Sequence, residues 1–347
     1  MPAAVSAVVD AGRLLRWATI GTDPWDVVVC HVPVNSRSVV YAGLPMRLDL
    51  HPADIVKVLN TNVTAYFDTL SNGEYRPAFR ARGEVTITVD DEPQACVDQA
   101  LTKAIDTAHG VLVVADAEHN VGQPGGFGNA GSTCAHAPCS ASVTRRSAYV
   151  GAADFSPQWG DRPPMDLIEH ELGHALGWPH SGYDQSAVEP HRSALDVMSN
   201  SAAPRAVHPD RRDAPDTLAV NRLAAGWLPV TAVAVIPPSG GSVVLAPSNG
   251  RAGTRLAVIE VDGHRFISIE LLIAAGFDDH LPASGVAVHL IEGSDANRAQ
   301  RPLVGAAPFD DLLTPGEALT TNGWSIAVDD GWRATAHPLA GGPTVSG

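Results

Sequence analysis

His170, Glu171, His174, Gly177 and His180 fall in the run HELGHALGWPH at the spacing H-E-x-x-H-x-x-G-x-x-H. Positions i and i+4 share one face of a helix, so His170 and His174 can aim their imidazoles at a single ion while Glu171 sits beside them to hold a water. Gly177 ends that helix. Lacking a Cβ, it enters the left-handed region freely, and the reversed chain lets His180 reach the same ion as third ligand. Three neutral imidazoles leave a fourth position open, as a catalytic zinc requires and a closed structural zinc does not. A bare H-E-x-x-H recurs by chance in Ala-rich helices. Five fixed positions, including a glycine where the chain must turn, are hard to obtain from a solvated helix face.

Downstream, Met198 lies in SALDVMSN. A methionine in a short apolar run is ordinarily core filler, but after a complete ligand set this one resembles the Met-turn of the metzincin metallopeptidases. LAVNRLAAGW (218–227), FISIELLIAAGFDDHLPASGVAVHLIE (266–292) and AYFDTLSNGEYRPAF (65–79) extend the likeness over most of the chain. Together they resemble the bacterial immune-inhibitor-A-type metallopeptidases and their gametolysin-like relatives. The resemblance implies a secreted zinc endopeptidase acting on protein or peptide substrates. In it His170, His174 and His180 hold the metal, Glu171 is the general base, and Met198 lies beneath the ligands. One departure stands out. Ser199 and Asn200 follow Met198, so the tyrosine that some branches place two residues after the methionine, as extra ligand and transition-state donor, is missing. Tyr183 is nearest in sequence, but a surface or packing role suits it better.

The elements that must position these groups are legible in outline. DVVVC (26–30) reads as a buried strand, and residues 53–70 as a helix with Ile55, Leu59, Val63 and Phe67 spaced four apart. EVTITV (84–89) and GVLVVADA (110–117) read as strands flanking a helix over 94–108. Residues 118–144 form a long Gly-rich and Cys-containing loop without a Walker or dinucleotide fingerprint. SAYVGAAD (147–154) is a strand just before the active-site helix, which starts near Pro163 and Pro164 with Asp166 favourable to its dipole. In the metzincin pattern an edge strand pairs with an extended substrate, a role for 147–154 or the end of 111–117. Beyond about residue 229 short β-rich runs alternate with Pro and Gly turns, at 230–236, 242–246, 255–261, 266–272, 285–291 and 324–328. The expected fold is α+β. An N-terminal extension (1–25) leads into a metzincin-type catalytic domain (26–228) with mixed sheet, active-site helix and Met-turn, and an all-β sandwich-like domain (229–347) follows.

Composition limits the partners. The chain has 347 residues, 45% of them hydrophobic, enough for two ordinary cores, and a formal charge of −15 with Lys57 and Lys103 as its only lysines. Nucleic acid and anionic membranes need clustered positive charge and are poor partners, so neither is expected. No apolar run reaches the roughly 20 residues of a membrane span, and a monomer is expected. The N-terminal stretch is broken by Asp10, Arg13 and Arg16 and does not read as a signal peptide, so secretion is inferred from the resemblance and from possible disulfides.

Four cysteines, Cys30, Cys96, Cys134 and Cys139, allow three pairings, among which the sequence does not choose. A Cys134–Cys139 bridge across CAHAPC is the first expectation, which by elimination leaves Cys30 with Cys96. Cys134, His136 and Cys139 as a metal cluster would lack a fourth ligand, and Cys30 as an inhibitory thiolate lacks a propeptide context. His264, His280 and His289 read as surface or satisfied side chains. Asp278–Asp279 and Asp329–Asp330 are candidate calcium ligands, although no EF-hand pattern is present. The alternative function is a proteolytically silent, zinc-containing binding or adhesion module. Intact Glu171 argues against it, because binding alone has no chemical need for that carboxylate.

Overall fold

The computed structural model describes residues 19–33, 40–41, 44–45, 47–88, 93–118, 125–131, 145–181, 191, 193–262, 265–292, 300–302 and 312–340. Cys134, His136, Cys139, Tyr183 and His264 lie outside the described residues. The chain packs as two compact units. The N-terminal unit runs to Gly177 and takes in Pro209–Ala214; the C-terminal unit holds Trp178–His208 and the chain from Pro215 onward. In this division the segment from Pro215 onward packs with the C-terminal strands.

In the N-terminal unit, strand β1 (Gly21–His31) is followed by the short pair β2 (Val40–Tyr41) and β3 (Leu44–Pro45), then helices α1 (Pro52–Thr61) and α2 (Val63–Leu70). Strand β4 (Tyr75–Thr86), helix α3 (Pro93–Lys103), β5 (Gly110–Ala115), β6 (Gly126–Asn129), β7 (Arg146–Val150) and helix α4 (Asp166–Ala175) complete it. The main sheet has the order β4-β1-β5-β7-β6. Its first four strands are parallel and β6 joins β7 antiparallel. Every residue of β5 and β7 is buried, as befits parallel strands covered on both faces.

Residues 53–70 form two helices rather than one. Asn62 at the junction donates its side-chain amide to the Val58 carbonyl, and the Asn60 amide clamps both the N–H and the carbonyl of Phe79. Such bonds compete with the helical ladder. Helix α3 stops at Lys103, short of the expected 108, and β4 begins at Tyr75, well before the expected 84.

Cys30 on β1 and Cys96 on α3 form a disulfide within the core that Val28, Val97, Val111 and Val113 share. At the other end of the strands Asp23 is buried among Trp25, Tyr75, His109 and Arg146, all within hydrogen-bond reach of its carboxylate. Burial alone would raise the Asp23 pKa, but His109 and Arg146 hold it down at about 2.

The C-terminal unit carries short helices α5 (Ala203–Val207) and α6 (Ala219–Ala225) ahead of ten strands: β8 (Val233–Val235), β9 (Gly241–Val244), β10 (Leu256–Asp262), β11 (Arg265–Leu272), β12 (Gly285–Glu292), β13 (Gln300–Pro302), β14 (Leu312–Leu313), β15 (Ala318–Thr321), β16 (Trp324–Val328) and β17 (Arg333–Pro338). They build a six-stranded sheet, β13-β12-β11-β10-β8 with β14 beside β12, and a four-stranded sheet, β15-β16-β17-β9. Ile259, Ile267, Ile269 and Val288 of the first share one core with Trp324, Ile326 and Ala336 of the second, which is sandwich packing. The opposite face of the larger sheet, through Leu256, Val258 and Phe266, receives Leu218, Val220 and Leu223 of α6 and its approach. The expected strand at 230–236 is a 3-10 turn (Val230–Ala232) leading into the short β8. The whole is a mixed α+β structure with several sheets. Among the described residues no helix is long and apolar enough to cross a membrane.

Candidate functional site

Helix α4 carries the first half of the motif. Buried Glu169 anchors it by accepting a hydrogen bond from the Ala214 N–H at 2.7 Å, while the Met165 N–H donates to the Arg212 carbonyl, so the returning segment Pro209–Ala214 fixes the helix start. One turn on, His170 and Glu171 are 5% and 4% exposed. The rings of His170 and His174 meet edge to face with centroids 4.7 Å apart. The ligand atoms of His170, Glu171 and His174 all lie within 4.8 Å of one another. Helical spacing alone produces this, because i and i+4 stack on one face.

Glu171 is the unusual member. Its Oε2 is buried without a hydrogen-bond partner among the described residues, and burial pushes its carboxyl up to about 8. A buried carboxylate that lacks a donor beside two imidazoles fits a divalent cation with a water to hold, and the nitrogen donors suit zinc. At the helix end the Gly177 N–H donates to the His174 carbonyl with φ at 91°, the left-handed turn expected of it.

Strand β6 lies directly against this helix. A Cβ on Gly128 would fall inside contact distance of the Glu171 carbonyl oxygen and 2.6 Å from the His174 Cβ; one on Gly126 would meet Glu171 Oε1 at 2.7 Å. The glycines of the run GFGN therefore allow backbone approach to the motif. Strand β6 also closes the sheet, so β7 is flanked on both sides and neither 147–154 nor the end of 111–117 is an edge. Within the expected 118–144 loop, the edge strand is Gly126–Asn129.

The C-terminal unit carries the second half. The Ser181 N–H, one residue past His180, donates to the Met198 carbonyl at 3.0 Å, and its hydroxyl donates to Asp196 at 2.6 Å. Asp196 is fully buried and also accepts from Thr217 and Asn221. Burial raises its pKa and these donors partly offset that rise. The turn itself closes through the Ser199 N–H to the Asp196 carbonyl, and Ser193 N–H to Ser199 Oγ braces it. Met198 is buried at its centre, beside Leu195, which packs on Leu272 and Ala287.

Sequence reasoning did not single out His191. Its ring meets that of His180 edge to face at 4.6 Å, and its Nδ1 lies 3.2 Å from the Ser199 carbonyl. No periodicity or spacing rule marks it. Asp196 was equally invisible, since its partners are scattered along the chain.

Of the histidines read as surface or satisfied, His280 is satisfied and His289 is buried. His280 is buried with Nε2 on the Ala194 carbonyl, and His289 is buried with no hydrogen-bond partner for Nδ1 among the described residues. Asp278 is buried and accepts from the Asp216 N–H, while Asp329 caps its own turn at Gly331 and Arg333. Among the described residues no cluster of three potential ligands includes Asp278, Asp279, Asp329 or Asp330. No family model matches the chain, and no curated protein is significantly similar to it.

Proposed function

We propose that the chain is a secreted zinc-dependent endopeptidase of metzincin type. The observation that carries the reading is the convergence of His170, Glu171 and His174 within 4.8 Å on a helix that Gly177 ends. His170, His174 and His180 hold the metal, with Met198 beneath as the Met-turn. Zinc, when bound, lowers the pKa of a coordinated water and polarises a peptide carbonyl. Glu171 takes the proton from the attacking water and passes it to the leaving amine. Its buried Oε2 supports that role, because no hydrogen bond among the described residues engages it. The outer edge of β6, beside the motif helix, is the site for an extended peptide to add as a further strand. The Cys30–Cys96 disulfide accords with an oxidising compartment.

The test is cleavage of a denatured protein by the purified chain, with chelator and then zinc added back, alongside metal content. We expect about one zinc per chain and chelator-sensitive cleavage that zinc restores. Glu171→Gln should keep the metal and lose nearly all turnover, by a factor of about 100 or more. A fully active variant rejects the role of Glu171. Zinc without cleavage in the wild type favours the silent binding module, and no zinc removes the ligand assignment.

A further inference from the structure

We propose that Ser268, Glu270 and His289 bind a buried water molecule between the larger sheet and helix α6, a site built entirely within the C-terminal unit. It is independent of the metal reading.

Strand register brings the three together. Ser268 and Glu270, two apart on β11, share a face, and His289 of β12 stands directly opposite Ser268. On that face Phe266 and Ile291 pack with α6 to one side, and Leu272 and Ala287 pack with Leu195 and Leu281 to the other. The polar groups thus form an island between two apolar clusters. They are 1%, 0% and 1% exposed, and Ser268 Oγ, Glu270 Oε1 and His289 Nδ1 each have no hydrogen-bond partner among the described residues. Three such atoms on one patch call for a ligand, because each buried polar group left unpaired weakens folding by about fivefold or more.

Distance and charge select that ligand. Opposed residues on paired antiparallel strands have Cβ atoms about 5 Å apart, roughly the span that one water bridges with two bonds near 2.8 Å. Glu270, one pair along, has the longer side chain with which to reach it. Its Oε2 accepts from the Ala219 N–H at 2.8 Å, which leaves Oε1 to carry the proton that burial favours, the carboxyl being pushed up to about 8 against the pull of Ala219 and Arg222. Burial drives His289 the other way, down to about 4, so the imidazole stays neutral. Neutral groups that give and take hydrogen bonds suit water rather than an ion, and about three bonds is the usual number for a buried water. Through Glu270 the water joins the sheet to the start of α6.

The experiment is a double-mutant cycle in urea at neutral pH with Ser268→Ala, His289→Leu and the two combined, each run with and without a chelator. Ser268→Ala should weaken folding by about fivefold or more, since the water loses a partner. His289→Leu should do likewise, and the double variant should lose less than the product of the two single losses. A Ser268→Ala variant more stable than wild type, the result that unbridged groups would give, overturns the proposal, and so does strict multiplication of the single losses. Losses that vanish on chelation place a metal ion there instead of water and overturn it as well. In a high-resolution crystal structure the water should lie within hydrogen-bond distance of all three atoms; a structure without it there overturns the proposal. None of these outcomes touches the peptidase reading.

Discussion

Gly128→Ala adds one methyl group on β6, where that carbon would sit 2.6 Å from the His174 Cβ and closer still to the Glu171 carbonyl. Ordinary contact starts near 3.4 Å, so strand and helix must separate by about 1 Å. Neither side yields easily: the Glu171 carbonyl belongs to the helix backbone, and β6 is hydrogen-bonded along β7 from Gly126 to Asn129. Overpacking of this kind costs about 1–3 kcal/mol, or roughly 2–10 °C in the melting temperature of a unit this size. The motif residues are the ones displaced, so a shift of about 1 Å should lower turnover by about 100-fold. Gly126→Ala is the graded control. Its nearest contact is the Glu171 side chain at 2.7 Å, which can rotate away, although the Tyr149 carbonyl at 2.8 Å cannot. Thermal melts of both variants, paired with initial rates on a denatured protein, read the two effects separately. A Gly128→Ala variant that melts and turns over like wild type would refute the close approach of β6 to the helix.

Three further outcomes are expected. His289, buried on β12 with no hydrogen-bond partner for Nδ1 among the described residues, has its pKa lowered to about 4 by burial. The unfolded chain therefore takes up the proton first, and stability falls as pH drops from about 6.5 to 4, by about 3 kcal/mol. Urea melts across that window should lose much of this slope in His289→Gln; an identical slope contradicts the assignment. Opening the Cys30–Cys96 bridge, with its sequence separation of 66, should destabilise the N-terminal unit by about 4 kcal/mol on the chain-entropy model, read as a lower melting temperature for Cys30→Ala/Cys96→Ala. Asp196→Ala strands Ser181, Thr217 and Asn221 without their acceptor and should cost about 3 kcal/mol or more. It should also weaken zinc binding, measured by chelator competition, although Asp196 is not a ligand.

Where pattern and physics coincide locally, the sequence was legible. The motif residues share a helix face because helical geometry requires it, and Gly177 turns the chain because only its conformation permits the reversal. The disulfide partners Cys30 and Cys96 were among three pairings until the fold brought β1 and α3 together. Other elements failed for identifiable reasons. Arg76, Arg80 and Arg82 make the first half of β4 look like a loop, yet it is a strand with an alternating buried face against β1. The run GFGN has no apolar alternation; it is a strand because its missing side chains let a helix approach. The helix over 53–70 is split by tertiary bonds from Asn60 and Asn62 that no periodicity anticipates.

The turn at Met198 shows why the residue that marks a turn need not be what holds it. Met198 is buried and uncharged, and its side chain supplies volume. The position of the turn is set by polar groups around it: Asp196, buried below, receives Ser181, Thr217 and Asn221, while the Met198 carbonyl receives the Ser181 N–H. Because Ser181 follows His180 directly, the turn and the third histidine of the motif form one braced object. The Ser199 carbonyl on the same turn accepts from His191, so that imidazole too takes its orientation from the turn. A methionine substituted by another apolar residue of similar volume leaves every one of those bonds in place, whereas loss of Asp196 removes the acceptor that joins them. The turn depends on a buried carboxylate that no motif spells.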